Sequence, residues 1–203
     1  MPALKLIGML DSPYVRRTAI SLRLMGFDFE LSQLSVFRNY DEFQAVNPVV
    51  KAPSLVTDDG VVLMDSTLIL EYAERLAPAK SLMPVGPREH AKALHLIGFA
   101  LAANEKTVQI VYEKTQRPAE KHHQPWLDRV SGQLLRAYGV LEREAPSGWL
   151  GGDTPNQADI TVAVAWRFTQ SRFPELVTAA AHPKLAAHSA RAEKLPVFAE
   201  FDF

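Results

Sequence analysis

Apolar positions along the chain follow two rhythms, and the change between them divides the molecule. Residues 4–9 (LKLIGM) form a short apolar run that reads as a buried strand. Leu10-Asp11-Ser12-Pro13 reads as a turn, and Ser12 before Pro13 is the pattern of an N-cap followed by proline in the first helical position. A helix is predicted over 13–25, with Val15, Ala19, Ile20, Leu22 and Leu24 on its apolar face and Gly26 placed to end it. Residues 27–34 alternate as a second strand, and the polar segment 35–45 reads as irregular with one short helix. Residues 54–57 and 61–64 are β-type runs separated by Asp58-Asp59-Gly60, a hairpin signal because glycine takes positive φ without steric cost. Pro53 then falls on the first residue of a strand, where a missing N–H is tolerated. Helical spacing returns over 66–76 at Leu68, Ile69, Tyr72, Ala73 and Leu76.

The order β-α-β-α-β-β-α, with a parallel start and an antiparallel end, is an α/β domain of thioredoxin-like type, assigned to residues 1–77. Residues 78–87 (PAKSLMPVGP) carry three prolines and a glycine, which stop any helix and mark a linker. From 88 to 203 only helical spacing occurs, so this part is predicted to be an all-α bundle. Its long first helix covers 88–115, apolar at Leu94, Ile97, Leu101, Val108 and Val111. A second runs from His122 or His123 to Glu144, striped by Trp126, Val130, Leu134, Leu135, Tyr138 and Leu141. Asn156 with Asp159 three residues on has the spacing of a capping box ahead of an apolar core helix over 158–168. A last full helix covers 182–193, and a short helix or tail follows from Leu195.

Composition narrows the chemistry. At 203 residues and 47% hydrophobic content the chain can bury a full core. A net charge of −1 gives no nucleic-acid footprint. The absence of cysteine removes disulfides, thiolate metal sites and a cysteine nucleophile, and fits a reducing, cytoplasmic setting. The opening MPALKLIGML is too short for a membrane span and lacks the cleavage pattern of a secretory signal. No metal site is expected: His122 and His123 point apart on a helix, and His90 and His95 share no face well.

Asn47-Pro48, then Lys51-Ala52-Pro53-Ser54-Leu55, a hairpin, and Asp65-Ser66 before a helix resemble the glutathione-binding half of a cytosolic glutathione S-transferase. Leu82-Met83-Pro84 in the linker and the capping box, where the family carries Ser or Thr at the place of Asn156, extend the likeness along nearly the whole chain. The resemblance implies glutathione as co-substrate and a two-fold homodimer. The electrophile side of the site is expected in the helical domain. It implies that Ala52 pairs through its backbone with the cysteinyl unit of glutathione, next to a cis proline. On base rates alone Ala52-Pro53 is expected trans, because only about 5–6% of such bonds are cis. Asp65 and Ser66 match the acidic-Ser pair that holds the γ-glutamyl end, with Asp where the family more often has Glu. They also read simply as two alternative N-caps.

Ser12-Pro13-Tyr14-Val15-Arg16-Arg17 resembles the catalytic segment of serine- and cysteine-type transferases, in which the reactive residue stands five before an arginine. That register makes Ser12 the catalytic residue, Pro13 the proline and Arg17 the arginine. A thiolate at a helix start gains about 0.3–1 kcal/mol from the dipole, and a hydroxyl hydrogen bond adds to that. Ser12 also reads as a helix cap alone, and Tyr14 is the weaker rival as thiol donor. Lys51 is a candidate for the glycyl carboxylate, with Arg38 and Asn39 behind it; Leu10 and Tyr112 are candidates for the electrophile pocket. The expected activity is transfer of the glutathione thiolate to a small electrophile. The alternatives are a glutathione-dependent isomerase or dehalogenase, and a non-catalytic protein of the stringent starvation type on the same fold. The surplus of apolar residues at Leu68, Tyr72, Ala93 and Ile97 is read as the dimer surface.

Overall fold

A computed structural model of the chain describes residues 3–203. Its elements are β1 (Leu4–Ile7), α1 (Pro13–Leu24), β2 (Phe29–Ser32), α2 (Tyr40–Val46), β3 (Ser54–Val56), β4 (Val62–Leu63), α3 (Ser66–Leu76), α4 (Pro87–Gln116), α5 (Gln124–Glu144), α6 (Gln157–Arg172), α7 (Pro183–Ala192) and α8 (Pro196–Glu200). By backbone proximity they fall into two units: residues up to Leu82 together with Lys194–Phe203, and Met83–Glu193. Helical periodicity alone groups the last ten residues with the helices before them. The backbone instead brings them back to the sheet-bearing unit, through contacts that local sequence does not encode.

In the first unit the strands lie in the order β2-β1-β3-β4. β1 pairs parallel with β2, Leu4 opposite Phe29, and antiparallel with β3, Leu6 opposite Leu55. β3 pairs antiparallel with β4. The element order along the chain and its parallel start and antiparallel end are as predicted, with strands shorter than the apolar runs. Leu6, Ile7 and Leu55 are fully buried, as are Val15, Ala19, Ile20 and Leu22 of α1. Each of the leucine, isoleucine and valine side chains contributes about 1.5–3 kcal/mol by leaving water. Gly26, at φ +84°, closes α1 with paired bonds: its N–H donates to Arg23 O and that of Phe27 to Leu22 O. That is a Schellman motif, and only glycine takes its left-handed position without strain.

In the second unit α6 is buried on nearly all sides, so its sequence shows no polar face. Around it pack Leu96 and Ala100 of α4 and Val130, Leu134 and Tyr138 of α5. The rings of Tyr138 and Trp166 meet edge to face at 5.5 Å. The capping box forms as spaced: Asn156 accepts from the N–H groups of Ala158 and Asp159, and Asp159 accepts from that of Asn156. Asp159 also takes the N–H of Leu150 at 2.7 Å and of Gly151 at 2.9 Å, so one buried carboxylate ties the preceding loop to the helix. Ala93 and Ile97 lie in this core, 3% and 6% exposed, which corrects their reading as dimer surface. The long helix buries them against its own bundle, whereas Leu94 between them is exposed. No helix among the described residues is long and apolar enough to cross a membrane.

Candidate functional site

The turn after β1 delivers Ser12 to the start of α1. Its φ of −79° and ψ of 122° are those of an N-cap. The cap bond itself is long: Val15 N–H reaches Ser12 Oγ at 3.5 Å. Among the described residues that is the hydroxyl's one hydrogen bond, so its proton remains available to a ligand at the positive end of the helix. Ser12 is half-buried. Gly8, just upstream, has φ +139°, and a Cβ there would lie 2.5 Å from Val15 Cγ2 and 3.0 Å from Ala52 Cβ. Glycine at this place therefore lets α1 and the 51–53 loop approach the same point of the sheet.

Asp65 caps α3, accepting from Thr67 N–H at 2.8 Å and Leu68 N–H at 3.4 Å. Ser66, the first helical residue, is buried, and its Oγ accepts from Arg17 Nη1 at 3.0 Å. A second bond from Arg17 Nη1 reaches Thr67 Oγ1 at 3.3 Å. Burial pulls the Arg17 guanidinium down to about 10, and the nearby Asp65 and Tyr14 oppose that pull. It therefore stays a cation at neutral pH. A cation behind the Ser66 oxygen polarises the hydroxyl, whose proton is then donated more strongly outward. Arg17 does work that its place in the sequence motif, a register mark five after Ser12, does not reveal. The signal was present: two arginines side by side early in a helix point about 100° apart, so a largely buried helix must satisfy each separately.

The loop between α2 and β3 is held from inside by Asn47. Its Oδ1 takes the N–H of Val49 at 3.0 Å, its Nδ2 donates to Ser54 Oγ at 2.8 Å, and Ser54 Oγ in turn donates to Lys51 O at 2.8 Å. Val50 sits at φ +52°, a left-handed conformation costly for a β-branched residue. The Ala52-Pro53 peptide is cis, which corrects the base-rate expectation, and Met64-Asp65 is cis as well. Neither the N–H nor the C=O of Ala52 is taken by another described residue. Lys51 is exposed beside it.

Three of the candidate segments thus converge. Ala52 and the first turn of α1 meet over Gly8, and Arg17 joins that helix to Ser66. Leu10 is buried in the turn before Ser12. Tyr112 belongs to α4 in the other unit and is exposed there. Arg38 is exposed, while Asn39 is engaged locally, accepting from Ser35 N–H at 3.2 Å. Among the described residues no three His, Asp or Glu side chains gather as metal ligands.

Comparison with known proteins bears on this arrangement. The model of the glutathione S-transferase N-terminal domain matches residues 6–81, and that of the C-terminal domain matches residues 124–191. The chain is 32% identical over 162 residues to the uncharacterized GST-like protein YibF of Escherichia coli, covering 80% of each. It is 25% identical over 152 residues to the maleylacetoacetate isomerase of Rattus norvegicus, covering 72% of this chain and 69% of that one. A crystal structure of a glutathione S-transferase from Methylobacterium radiotolerans, in complex with glutathione sulfonate, superposes with a TM-score of 0.91 at 29% identity, over 98% of this chain and 93% of that one.

Proposed function

This chain belongs to the glutathione S-transferase family, and we propose that it binds glutathione in the first unit and activates its thiol at Ser12 for attack on a small electrophile. The observation that carries this reading is the convergence of Ser12, the open backbone of Ala52, and Ser66 backed by Arg17. The glutathione S-transferase of M. radiotolerans holds glutathione sulfonate on the same fold, which supports the choice of ligand.

Each end of the tripeptide then has a chemical match. The γ-glutamyl carboxylate accepts from the Ser66 hydroxyl at the start of α3, where the dipole favours an anion. The ammonium of the same unit faces Asp65. The cysteinyl unit pairs with Ala52 N–H and C=O, as an added strand pairs with an edge. Lys51 meets the glycyl carboxylate. At Ser12 the hydroxyl donates to the sulfur, and the α1 dipole adds about 0.3–1 kcal/mol, or up to about 2 when partly buried. One pKa unit is about 1.36 kcal/mol, so dipole and hydroxyl together draw the thiol well below its free value of about 8.5. The proton passes to solvent. The sulfur then forms its bond to the electrophilic carbon as a halide departs, or as an epoxide C–O bond opens.

A second reading comes from the relatives, several of which are maleylacetoacetate isomerases. In it the same thiolate adds to an activated double bond of a small acid and leaves again after rotation. The longer Ser/Cys-rich segment of zeta-type isomerases is replaced here by Ser-Pro, which favours conjugation. Retention on immobilised glutathione, followed by assays with a generic aryl halide and with a cis-configured unsaturated diacid, separates the readings. Turnover of the halide supports conjugation, turnover of the diacid supports isomerisation, and retention with neither supports a binding protein. Failure to be retained contradicts all three.

A further inference from the structure

Arg17 backs Ser66, and its neighbour Arg16 turns the other way. Arg16 is fully buried. Its Nε donates to Phe201 O at 2.8 Å and its Nη2 to Phe198 O at 3.2 Å. The rings of Phe198 and Phe203 lie 5.5 Å and 5.4 Å from its guanidinium carbon. Those carbonyls belong to the closing turn of α8, where helix carbonyls lack partners of their own. A buried guanidinium needs its donors met, and the end of α8 needs donors, so each completes the other. Arg23, farther along α1, grips the same segment from the surface through Glu200 at 2.9 Å, and Phe29 of β2 stacks on Phe201 with centroids 5.8 Å apart.

We propose that Arg16 is a positioning residue for glutathione: the segment from Pro196 to Phe201 clamps it and thereby fixes the first turn of α1. The link to the site is direct, since Arg16 N–H donates to Ser12 O at 3.0 Å. The Ser12 side chain adds only a 3.5 Å cap bond, while its backbone N–H is held by Met9 O at 3.1 Å and its carbonyl by Arg16, so the Arg16 end of the turn is the one that the Pro196–Phe201 segment can move. Arg16 and Arg17 anchor consecutive residues in different directions, one to α8 and the other to α3. Releasing Arg16 frees the turn that carries both the thiol partner and the cation behind Ser66. The inference rests on the reading of this site as a glutathione site.

The test uses the full chain and three readouts: glutathione affinity by calorimetry, bound-thiol pKa by thiolate absorbance, and amide exchange at Val15 and Arg16. Arg16→Lys keeps the charge but loses the fork. It is expected to weaken glutathione binding roughly ten- to a hundredfold, the size of one hydrogen bond to a charged group, to raise the bound thiol's pKa and to speed exchange. Should that protein fail to fold, Phe203→Ala strips only one ring from the guanidinium and is expected to weaken binding about two- to fivefold. Unchanged affinity and thiol pKa in the folded variants, with faster exchange confined to residues 196–201, would overturn the proposal and leave the segment a stabilising one only. Wild-type protein that binds no glutathione would sink the functional reading and this inference with it. Binding by the wild type with unmoved variants sinks the inference alone.

Discussion

At Ser12 two roles share one geometry, and their consequences differ. As a thiol partner, its loss in Ser12→Ala removes a hydrogen bond to a charged group, worth about 1.5–3 kcal/mol or roughly ten- to a hundredfold in turnover at neutral pH. The deficit is expected to shrink as pH rises toward the free thiol's pKa, where ionisation no longer needs help. As a cap alone, the substitution would cost about 1 kcal/mol of stability and leave a pH–rate profile of unchanged shape. Val50 makes a different kind of prediction. Its left-handed backbone costs a non-glycine residue about 1–2 kcal/mol, more than the roughly 0.5–1 kcal/mol that glycine's extra freedom costs elsewhere in regular structure. Val50→Gly is therefore expected to raise the melting temperature. A lower one would show that the half-buried valine side chain contributes more through packing than its backbone loses.

At the scale of elements, His188 of α7 couples the helical unit to pH. It is buried; Nε2–H donates to Asp159 O at 3.2 Å, and the Asp159 carboxylate lies 3.8 Å away. The Trp149 ring meets it edge-on, and Arg191 stands over that ring. Burial is the largest influence and lowers its pKa; Asp159 opposes this and Arg191 adds to it. With the folded value below the ordinary one of about 6.5, the unfolded chain takes up the proton first as pH falls. Stability is full above that value and is lost below it. Urea midpoints are expected to fall between about pH 7 and pH 5 in the wild type and to fall less in His188→Gln. Equal slopes would contradict this. The elements themselves were largely legible. Ser12-Pro13, Gly26, Asp58-Asp59-Gly60 and Asn156 with Asp159 each act over a few residues, so their chemistry is written locally. What escaped depends on distant partners. Arg16 finds its acceptors 185 and 182 residues away, and nothing near it in sequence announces them. Arg17 and Ser66 likewise meet across 49 residues. The Ala52-Pro53 isomer was unreadable from its residues because the two forms differ by only about 0.5–1 kcal/mol in an open chain.

For the whole molecule we propose a homodimer. The outer face of α3 leaves Leu68 55% and Leu76 43% exposed, and Leu94 on α4 is 51% exposed. Light scattering at micromolar protein is expected to give twice the 22.6 kDa chain mass, and Leu68→Glu to lower it; a monomeric wild type would remove the dimer. One measurement tests activation of the thiol directly, without any substitution. Glutathione is titrated with pH in the presence of excess protein, and thiolate absorbance is followed. The account predicts a bound-thiol pKa at least about one unit below the free value of about 8.5, the shift that dipole and hydroxyl together supply. A thiol that ionises at its free value in the complex would contradict it.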